Sequence, residues 1–296
     1  MRALVTGSSG FVGPWLCRHL RERGDEVVEL GGKVDVRDAE GVREALAGAE
    51  PDAVYHLAAI SSVRQSWDDP PGTFAVNALG TLNVCNAAAS LPKRPRVLLV
   101  SSSEVYGNVD PSALPVREDH PYSPVTPYAA SKAAAELVGL QAWLGRGLEV
   151  VRARPFNHTG PGQSQAFVVP ALAAQVAAAA AGRAGQVRVG NLDVRRDMSD
   201  VRDVVRAYRL VMEKGEPGEV YNVCQGKSVL VREILSRLMS IAGVEVPVVV
   251  DPERFRPAEL PEQVGDPGRL VELTGWRPRV PLDQTLREVL AALAPA

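Results

Sequence analysis

The sequence predicts an α/β fold with a doubly wound parallel sheet. Short apolar segments alternate with helical segments, a pattern typical of parallel strands covered by helices on both faces. A glycine-rich turn also joins the first strand to the first helix. Strands are predicted at Ala3–Thr6, Val27–Leu30, Ala53–His56, Val97–Ser101 and Val150–Ala153. Helices are predicted at Val12–Arg23, Phe74–Ala89, Pro127–Leu144 and Val201–Glu213.

The glycine-rich turn, with Gly7, Gly10 and Gly13, indicates a Rossmann-type site for a dinucleotide. Gly7 permits a turn that a side chain would obstruct, Gly10 lets the main chain approach a bulky anion, and Gly13 lets the helix pack near the strand. Amides at the helix N-terminus would then face a pyrophosphate. The spacing is G-x-x-G-x-x-G rather than G-x-G-x-x-G, and a glycine pattern alone also fits a purely structural turn.

A second motif, Tyr128-Ala129-Ala130-Ser131-Lys132, strengthens the interpretation. Residues four apart lie on one face of a helix, so the phenol and the ammonium can point into the same site. A nearby cation favours phenolate over phenol, which predicts a tyrosine that acts as acid or base near neutral pH. Upstream, Ser102 and Glu104 follow a buried strand, where the hydroxyl can hydrogen-bond a carbonyl oxygen. The predicted catalytic residues are Ser102, Glu104, Tyr128 and Lys132.

With these motifs in this order, the chain resembles the extended short-chain dehydrogenase/reductase family over nearly all of its length. Similar segments also occur at residues 55–59, 77–83 and 154–162. That family acts on nucleotide sugars, so the resemblance implies nicotinamide chemistry on a sugar carbon. The implied cofactor-binding residues are Gly7, Ser9, Gly10, Phe11, Val12, Gly13, Lys33, Asp35, Val36, Leu57, Ala58, Ala59, Asn77, Tyr128, Lys132, Pro155 and His158. For His158, a core histidine with backbone partners is a competing interpretation.

The end of the second strand bears on the choice of cofactor. NAD-specific proteins usually carry an acid there that holds the adenosine ribose hydroxyls. Here Glu29 lies inside the predicted strand, and Gly31-Gly32-Lys33 follows it. The lack of an acid at the tip removes a repulsion against a 2′-phosphate, and Lys33 could attract one, although Lys33 also fits a solvated loop. The sequence therefore favours NADP(H) and leaves NAD(H) open.

Arginines indicate the class of substrate. Arg196 and Arg256 stand at family positions that bind a diphosphate, and guanidinium geometry suits bidentate contact with phosphate oxygens. The resemblance also implies that Glu259 meets ribose hydroxyls and that Asn157 hydrogen-bonds the sugar or the diphosphate. The predicted substrate-binding residues are Ser102, Ser103, Glu104, Asn157, Arg196, Arg256 and Glu259.

Composition limits the kinds of partner and the cellular compartment that we expect for this protein. The formal net charge of −2 gives no sign of a nucleic-acid-binding surface. Cys17, Cys85 and Cys224 are widely spaced without a metal-ligand pattern, which predicts structural packing in a reducing compartment and no bound metal. No signal peptide precedes the first strand, and the alanine-rich segment 171–181 is too short to cross a membrane. We expect a cytoplasmic protein that binds neither nucleic acid nor membrane.

The alternation loosens after Pro155. Further strands are predicted at Val187–Gly190, Val220–Val223 and Val246–Val250, and helices at Leu230–Ala242, Pro267–Leu273 and Leu282–Leu293. By resemblance, residues 1–159 and 195–224 form the Rossmann domain that binds NAD(P). Residues 160–194 and 225–296 form a smaller α/β lobe that binds the nucleotide sugar.

The resemblance also implies a homodimer. The helix that begins near Phe74 and the helix that carries Tyr128 would pair with their copies in a four-helix bundle about a two-fold axis. Leu137, Val138 and Leu140 are apolar positions that fit this interface but equally fit the core.

Within the family, several segments resemble the GDP-mannose branch. These are residues 156–163, 167–170, 189–192, 218–224 and 274–278. The 4,6-dehydratases of that branch usually carry a serine-proline-arginine-arginine segment where this chain has Gly160-Pro161-Gly162-Gln163, and they are longer. Both differences favour the branch's reductases, which use NAD(P)H to convert the 4-keto group of GDP-4-keto-6-deoxy-mannose and yield GDP-rhamnose.

The resemblance assigns each catalytic residue a role. Tyr128 supplies a proton to the developing alkoxide, Ser102 orients the carbonyl, and Lys132 holds the nicotinamide ribose. In a dehydratase Glu104 removes a proton from carbon 5, whereas in a reductase it only hydrogen-bonds the sugar. GDP-mannose 4,6-dehydratase, a nucleotide-sugar 4-epimerase with bound NAD, and a non-catalytic nucleotide-sugar-binding module remain as alternatives.

Overall fold

The computed structural model describes residues 1–255 and 260–293. Strands β1 to β12 run over Arg2–Thr6, Glu26–Glu29, Ala53–His56, Arg96–Val100, Val150–Pro155, Asn157–Thr159, Val187–Val189, Arg195–Asp200, Val220–Val223, Ser228–Leu230, Val248–Val250 and Glu262–Gln263. Helices α1 to α11 run over Val12–Glu22, Ala39–Ala49, Val63–Asp68, Pro70–Phe74, Gly80–Ser90, Pro127–Arg146, Val168–Ala180, Val201–Lys214, Val231–Ala242, Gly268–Thr274 and Leu282–Leu293. A π-helical turn over Ala75–Leu79 joins α4 to α5, and Ser103–Tyr106 forms a 3-10 turn.

The main sheet confirms the predicted fold class. It has six parallel strands in the order β2-β1-β3-β4-β5-β9. Alternate side chains enter two separate cores: Ala3 and Val5 pack with α1 and α8, whereas Leu4 packs with α2, α5 and α6. Both faces of the central strands are therefore buried, which explains their continuous apolar sequences. The carboxyl ends of β1, β3, β4 and β5 consequently lie along one edge of the sheet.

One helical prediction is wrong in detail, and two helices were not predicted. The sequence predicts one helix over Phe74–Ala89, but the structure divides this region into α4, the π-helical turn and α5. Helix α3 was not predicted, and neither was helix α2. Asp38 caps it by accepting hydrogen bonds from the amides of Glu40 and Gly41 at 3.2 and 3.1 Å, a start signal that the sequence does contain.

Part of the chain beyond β5 builds a further core, separate from the two that flank the main sheet. Helices α7, α9 and α11 pack around apolar side chains such as Leu172, Ile234 and Leu286. A small sheet has the order β10-β8-β12, and β6 pairs with β8 in parallel. Strands β6, β8, β10 and β12 were not predicted from the sequence. Within the residues that the structure describes, no helix is long and apolar enough to cross a membrane.

Candidate active site

The glycine-rich turn closes against the segment that follows β3. Gly7 has a φ of 66°, and a Cβ atom there would lie 2.7 Å from the Ala58 nitrogen. A Cβ atom at Gly13 would overlap the Ser8 backbone. Phe11, at the N-cap of α1, makes no side-chain capping hydrogen bond, so the first amides of this helix have no side-chain acceptor there. The turn is shaped to let an anion approach these amides.

A cavity of about 180 Å³ opens beside this turn, at the end of β1. Gly7, Asp35, Val36 and Ala58 contribute to its walls. The Asp35 carboxylate pairs with Arg37 at 2.6 Å, and this hydrogen-bonded guanidinium lowers the pKa of Asp35 to about 2. The cavity therefore gathers the predicted cofactor-binding residues Asp35 and Val36 next to the glycine-rich turn.

The segment after β2 packs closely against the same glycine-rich turn. A Cβ atom at Gly31 would lie 2.6 Å from Ser8 Oγ and 2.7 Å from the Ser9 nitrogen, so only a glycine allows this approach. Lys33 is exposed two residues later, and Ser9 is exposed on the turn itself. Glu29 was expected inside the strand, but β2 ends at this residue. Its carboxylate pairs with Arg21 of α1 at 2.5 Å in a surface ion pair.

The end of β3 is fixed by a buried histidine. His56 Nδ1 lies 2.8 Å from Thr6 Oγ1, and its Nε2 lies 3.1 Å from Thr81 Oγ1. Burial lowers the pKa of His56 to about 3, and Lys132 acts in the same direction. Thr6 Oγ1 also accepts a hydrogen bond from the Ala58 amide at 3.2 Å. These contacts hold β1, β3 and α5 together just below Leu57, Ala58 and Ala59, a set of interactions that sequence reasoning missed.

Asn77 lies in the π-helical turn with its side-chain amide bonded to protein. Asn77 Oδ1 accepts from the Ile60 amide at 2.8 Å, and Nδ2 donates to the Ile60 carbonyl at 3.0 Å and to Ser131 Oγ at 2.9 Å. Both Nδ2 protons are therefore used within the protein. The structure thus ties Asn77 to the segment after β3 and to helix α6, and π-helical turns often occur at such functional positions.

Ser102, Glu104, Tyr128 and Lys132 come together at the end of β4. Tyr128 and Lys132 are both buried on helix α6, and Lys132 Nζ donates to the Val100 carbonyl at 2.7 Å. Ser102 Oγ accepts from the Glu104 amide at 3.2 Å. Burial lowers the pKa of Lys132 to about 8, opposed by Glu136.

The pKa of Tyr128 shifts in the direction opposite to the one expected from its neighbour Lys132. Burial raises the pKa of the phenol to about 12, the Ser102 side chain lowers it, and the Glu104 charge raises it. We expected Lys132 to favour phenolate, but the desolvation of the phenolate outweighs every other contribution. Tyr128 is therefore held protonated, which is the state that a proton donor requires.

Beneath this site lies a charged network that the sequence analysis did not identify. Glu136, one helical turn beyond Lys132, is fully buried and accepts hydrogen bonds from Ser101 Oγ at 2.5 Å and from Tyr122 at 3.0 Å. Arg154 of β5 binds both of its oxygens. The available signal was the spacing of Glu136 after Lys132, which continues the same helix face.

The rings of Phe11, at the start of α1, and His158, on β6, stack against each other. The two rings are nearly parallel, with centroids 6.2 Å apart. His158 Nδ1 lies 3.0 Å from the Phe156 carbonyl, and because a carbonyl only accepts, this nitrogen carries the proton. Burial lowers the pKa of His158, so the ring is neutral. Pro155 ends β5 beside them and is buried.

The predicted substrate residues fall into two groups. Ser103 and Glu104 form the start of the 3-10 turn after β4, next to Ser102. Asn157 and Arg196 lie on the small sheet, where Asn157 Oδ1 is buried without a hydrogen-bond partner among the described residues. Arg196 Nη1 donates to the Leu260 carbonyl at 2.9 Å. The predicted positions Arg256 and Glu259 lie outside the described residues.

Fold and side chains together define a nicotinamide-dependent oxidoreductase of the extended short-chain dehydrogenase/reductase type. Residues 32–289 match a family model described as GDP-mannose 4,6 dehydratase. The chain is 40% identical to a GDP-6-deoxy-D-mannose reductase of Pseudomonas aeruginosa over 98% of this chain and 96% of the relative. A GDP-mannose 4,6-dehydratase of Yersinia enterocolitica is 27% identical, covering 98% of this chain and 93% of the relative. The chain therefore belongs to the family of GDP-mannose 4,6-dehydratases and related nucleotide-sugar enzymes.

Solved structures agree with this assignment. The structure of RMD from Pseudomonas aeruginosa complexed with NADPH matches with a TM-score of 0.92 at 38% identity, covering 99% of both chains. A Thermus thermophilus UDP-glucose 4-epimerase in complex with NAD matches with a TM-score of 0.88 at 33% identity, again over 99% of both chains. The fold is thus shared by relatives that bind either nicotinamide cofactor.

Proposed function

We propose that this protein reduces the 4-keto group of GDP-4-keto-6-deoxy-mannose with NADPH and yields GDP-rhamnose. The observation that carries the proposal is the 40% identity, over nearly the whole chain, to a GDP-6-deoxy-D-mannose reductase. The dehydratase relatives are 26–29% identical. The protonated state of Tyr128 fits a reduction, because a reductase needs a proton donor.

The geometry of the glycine-rich turn supports the nicotinamide cofactor. The crowding at Gly7 and Gly13 leaves a cradle that a Cβ atom would fill, and the neighbouring cavity has room for part of a nucleotide. We assign the pyrophosphate to the first amides of α1, the adenine side to Asp35 and Val36, and a 2′-phosphate to Lys33. The engagement of Glu29 by Arg21 favours NADP(H) over NAD(H), because it leaves no free acid at the end of β2.

NADPH supplies a hydride when it is bound, and the chain's own residues handle the proton. Tyr128 donates its phenolic proton to the oxygen that gains negative charge. Ser102, which faces the phenol, hydrogen-bonds the same oxygen and orients the carbonyl. Lys132 holds the cofactor ribose, and its positive charge favours the phenolate that remains after proton transfer.

The substrate assignments and the domain boundaries are part of the same proposal. Ser103, Glu104 and Asn157 would contact the sugar, and Arg196, Arg256 and Glu259 would contact the diphosphate and the ribose. Residues 1–159 and 195–224 would form the cofactor domain, and the remaining residues the sugar lobe. In support, β1 to β5 and β9 all belong to the main sheet, while β8 connects the two parts through its pairing with β6 and β12.

We further propose a homodimer formed through α5 and α6. Leu79, Leu137 and Leu144 are exposed by 57%, 53% and 74%, and Leu137 and Leu144 lie two helical turns apart on one face of α6. Val138, in contrast, packs against the core. A four-helix bundle with the partner subunit would cover the exposed leucines. A cytoplasmic location fits the three buried cysteine thiols.

The experiment is incubation of the purified protein with nucleotide sugars in the presence and absence of NADPH. We expect stoichiometric oxidation of NADPH when GDP-4-keto-6-deoxy-mannose is supplied, and no change of GDP-mannose. Conversion of GDP-mannose to the keto sugar without added NADPH would instead identify a dehydratase. Interconversion of two hydroxy sugars without net oxidation would identify an epimerase.

A further inference from the structure

Gln263, on the short strand β12, contacts Glu104 at the candidate site. Its Nε2 donates a hydrogen bond to Glu104 Oε1 at 3.2 Å, which joins residues 159 positions apart in the chain. Gln263 also lines a small cavity together with Ser103. Gln263 therefore contacts Glu104 and shares a cavity with Ser103, two predicted substrate-binding residues, although no sequence motif points to it.

The register of the small sheet places Gln263 on the same face as two other predicted substrate residues. Gln263 pairs with Arg196 of β8, and Asn157 of β6 pairs with Met198. Paired residues point to the same face of a sheet, and so do alternate residues of one strand. Gln263, Arg196 and Asn157 therefore share one face, and the Gln263 side chain extends from that face to Glu104.

A purely structural role does not account for an amide at this position. Only 6% of the Gln263 surface is exposed, and Oε1 is buried without a hydrogen-bond partner among the residues that the structure describes. A buried, unsatisfied carbonyl oxygen costs free energy that an apolar side chain would avoid. The nearby residues Leu260 and Val264 are buried and apolar. The costly amide is thus explained better by its contact with Glu104 than by packing.

The backbone around Gln263 is held on both sides. Glu262 accepts a hydrogen bond from Ser228 Oγ at 2.5 Å, and its carboxylate lies 3.4 Å from the Arg195 guanidinium. The Val264 carbonyl accepts from the Val116 amide at 2.9 Å. A side chain carried on such a fixed strand holds its partner at a defined position.

We propose that Gln263 is a positioning residue, which orients the Glu104 carboxylate to accept a hydrogen bond from a hydroxyl of the sugar. This inference rests on the proposed function. A carboxylate has lone pairs beyond the one that Gln263 occupies, so Glu104 can bind both groups. Because the carboxylate is oriented before the sugar arrives, less side-chain freedom is lost on binding. Gln263 therefore acts on sugar binding rather than on proton transfer from Tyr128.

The test is steady-state kinetics of Gln263→Met beside the wild type. Methionine keeps the length and approximate volume of glutamine but removes the donor. We expect KM for the keto sugar to rise about tenfold while kcat stays within about twofold, since a hydrogen bond to a charged group is lost. The matched control is Gln284→Met, because Gln284 donates a comparable bond to Glu288 at 2.9 Å on α11. The control should leave both constants unchanged.

A double variant separates positioning from packing. If Gln263 acts through Glu104, adding Gln263→Met to Glu104→Ala, which has no side-chain acceptor, raises KM no further, whereas independent effects multiply. Gln263→His, which restores a donor, should recover part of the affinity, and Gln263→Leu replaces Gln263→Met if that variant fails to fold. The proposal is overturned if KM is unchanged in Gln263→Met, or if the effects of the two substitutions on KM multiply in the double variant.

A binding measurement keeps this test separate from the proposed function. If the wild type does not oxidise NADPH with the keto sugar, the proposed function fails. Calorimetric binding of GDP-mannose to the same variants still tests whether Gln263 contributes to sugar binding. Weaker binding by Gln263→Met than by Gln284→Met supports the positioning role. Equal binding by the two variants contradicts it.

Discussion

Glu136 and Arg154 form a bidentate salt bridge in the protein interior. Arg154 Nε lies 2.8 Å from Glu136 Oε1, and Arg154 Nη2 lies 2.9 Å from Glu136 Oε2. Glu136 follows Lys132 by one helical turn and also binds Ser101, the residue before Ser102. The pair therefore connects the helix that carries the proposed proton donor with the ends of β4 and β5. Such geometry fixes relative positions because guanidinium and carboxylate match at two points.

Glu136→Gln should destabilise the protein strongly. The substitution leaves Arg154 buried without a full counter-charge, and breaking one side of a buried pair typically costs about 3–5 kcal/mol. Urea unfolding followed by circular dichroism measures this loss. The control is Glu40→Gln, which removes an exposed pair with Arg43 and should leave the unfolding midpoint unchanged. A loss no larger than that of the control would show that the pair contributes nothing.

The sequence predicted the main sheet well because each of its strands contains consecutive apolar residues, such as Ala3-Leu4-Val5 in β1 and Val97-Leu98-Leu99-Val100 in β4. The small sheet escaped prediction for the opposite reason. Strand β8 reads Arg195-Arg196-Asp197-Met198-Ser199-Asp200, and nothing in this polar run distinguishes a strand from a loop. It is a strand because β6, β10 and β12 pair with it, and these partners come from distant parts of the chain.

In the candidate site, too, local features were predicted from the sequence and long-range contacts were not. Local motifs identified the glycine-rich turn, Tyr128 and Lys132, since their spacing within one turn or one helix carries the signal. The network around Glu136 and the contact of Gln263 with Glu104 depend on residues that are distant in sequence, so no sequence motif predicts them. The direction of the Tyr128 pKa shift also differed from the expectation, because desolvation depends on burial that a motif does not reveal.

Tyr128→Phe should retain the cofactor and lose turnover. The change deletes the proposed proton donor but little volume, and loss of a positioned general acid costs about 10²–10⁴ in rate. Fluorescence titration with NADPH measures binding, and NADPH oxidation measures turnover. Tyr221→Phe is the control, because its hydroxyl only accepts a hydrogen bond from the Glu216 amide at 2.9 Å. Near-normal activity of Tyr128→Phe would refute the catalytic assignment.

Acid should destabilise the fold through His56. Burial lowers the pKa of His56 from 6.5 to about 3, so below pH 6.5 the unfolded chain binds a proton that the folded protein excludes. The stabilising contribution is complete above pH 6.5 and is lost as the pH falls towards 3, by about 2 kcal/mol at pH 5. Urea unfolding at pH 7 and pH 5 measures the loss. His56→Gln should lose less between these two pH values, whereas the half-buried control His120→Gln should match the wild type.

The proposed dimer makes a distinct prediction. Leu137→Arg places a charge on the exposed face of α6, where burial against a partner subunit would be unfavourable. Sedimentation at micromolar concentration should show dimer for the wild type and monomer for this variant. Val250→Arg serves as the control, because Val250 is 57% exposed but lies on β11, so the dimer should persist. A wild-type monomer would contradict the proposal.

Glu104→Gln distinguishes a reductase from a dehydratase. A dehydratase must remove a carbon-bound proton, so it needs a carboxylate base, whereas a reductase takes its proton from Tyr128 and uses Glu104 only to bind the sugar. We therefore expect Glu104→Gln to slow NADPH-dependent reduction by about tenfold or less, since the amide still hydrogen-bonds and only a charge-assisted bond is weakened. Tyr128→Phe, assayed in parallel, should be slower by at least a further order of magnitude. If Glu104→Gln instead abolishes turnover, and the wild type converts GDP-mannose without added NADPH, then Glu104 is a base and the protein is a dehydratase.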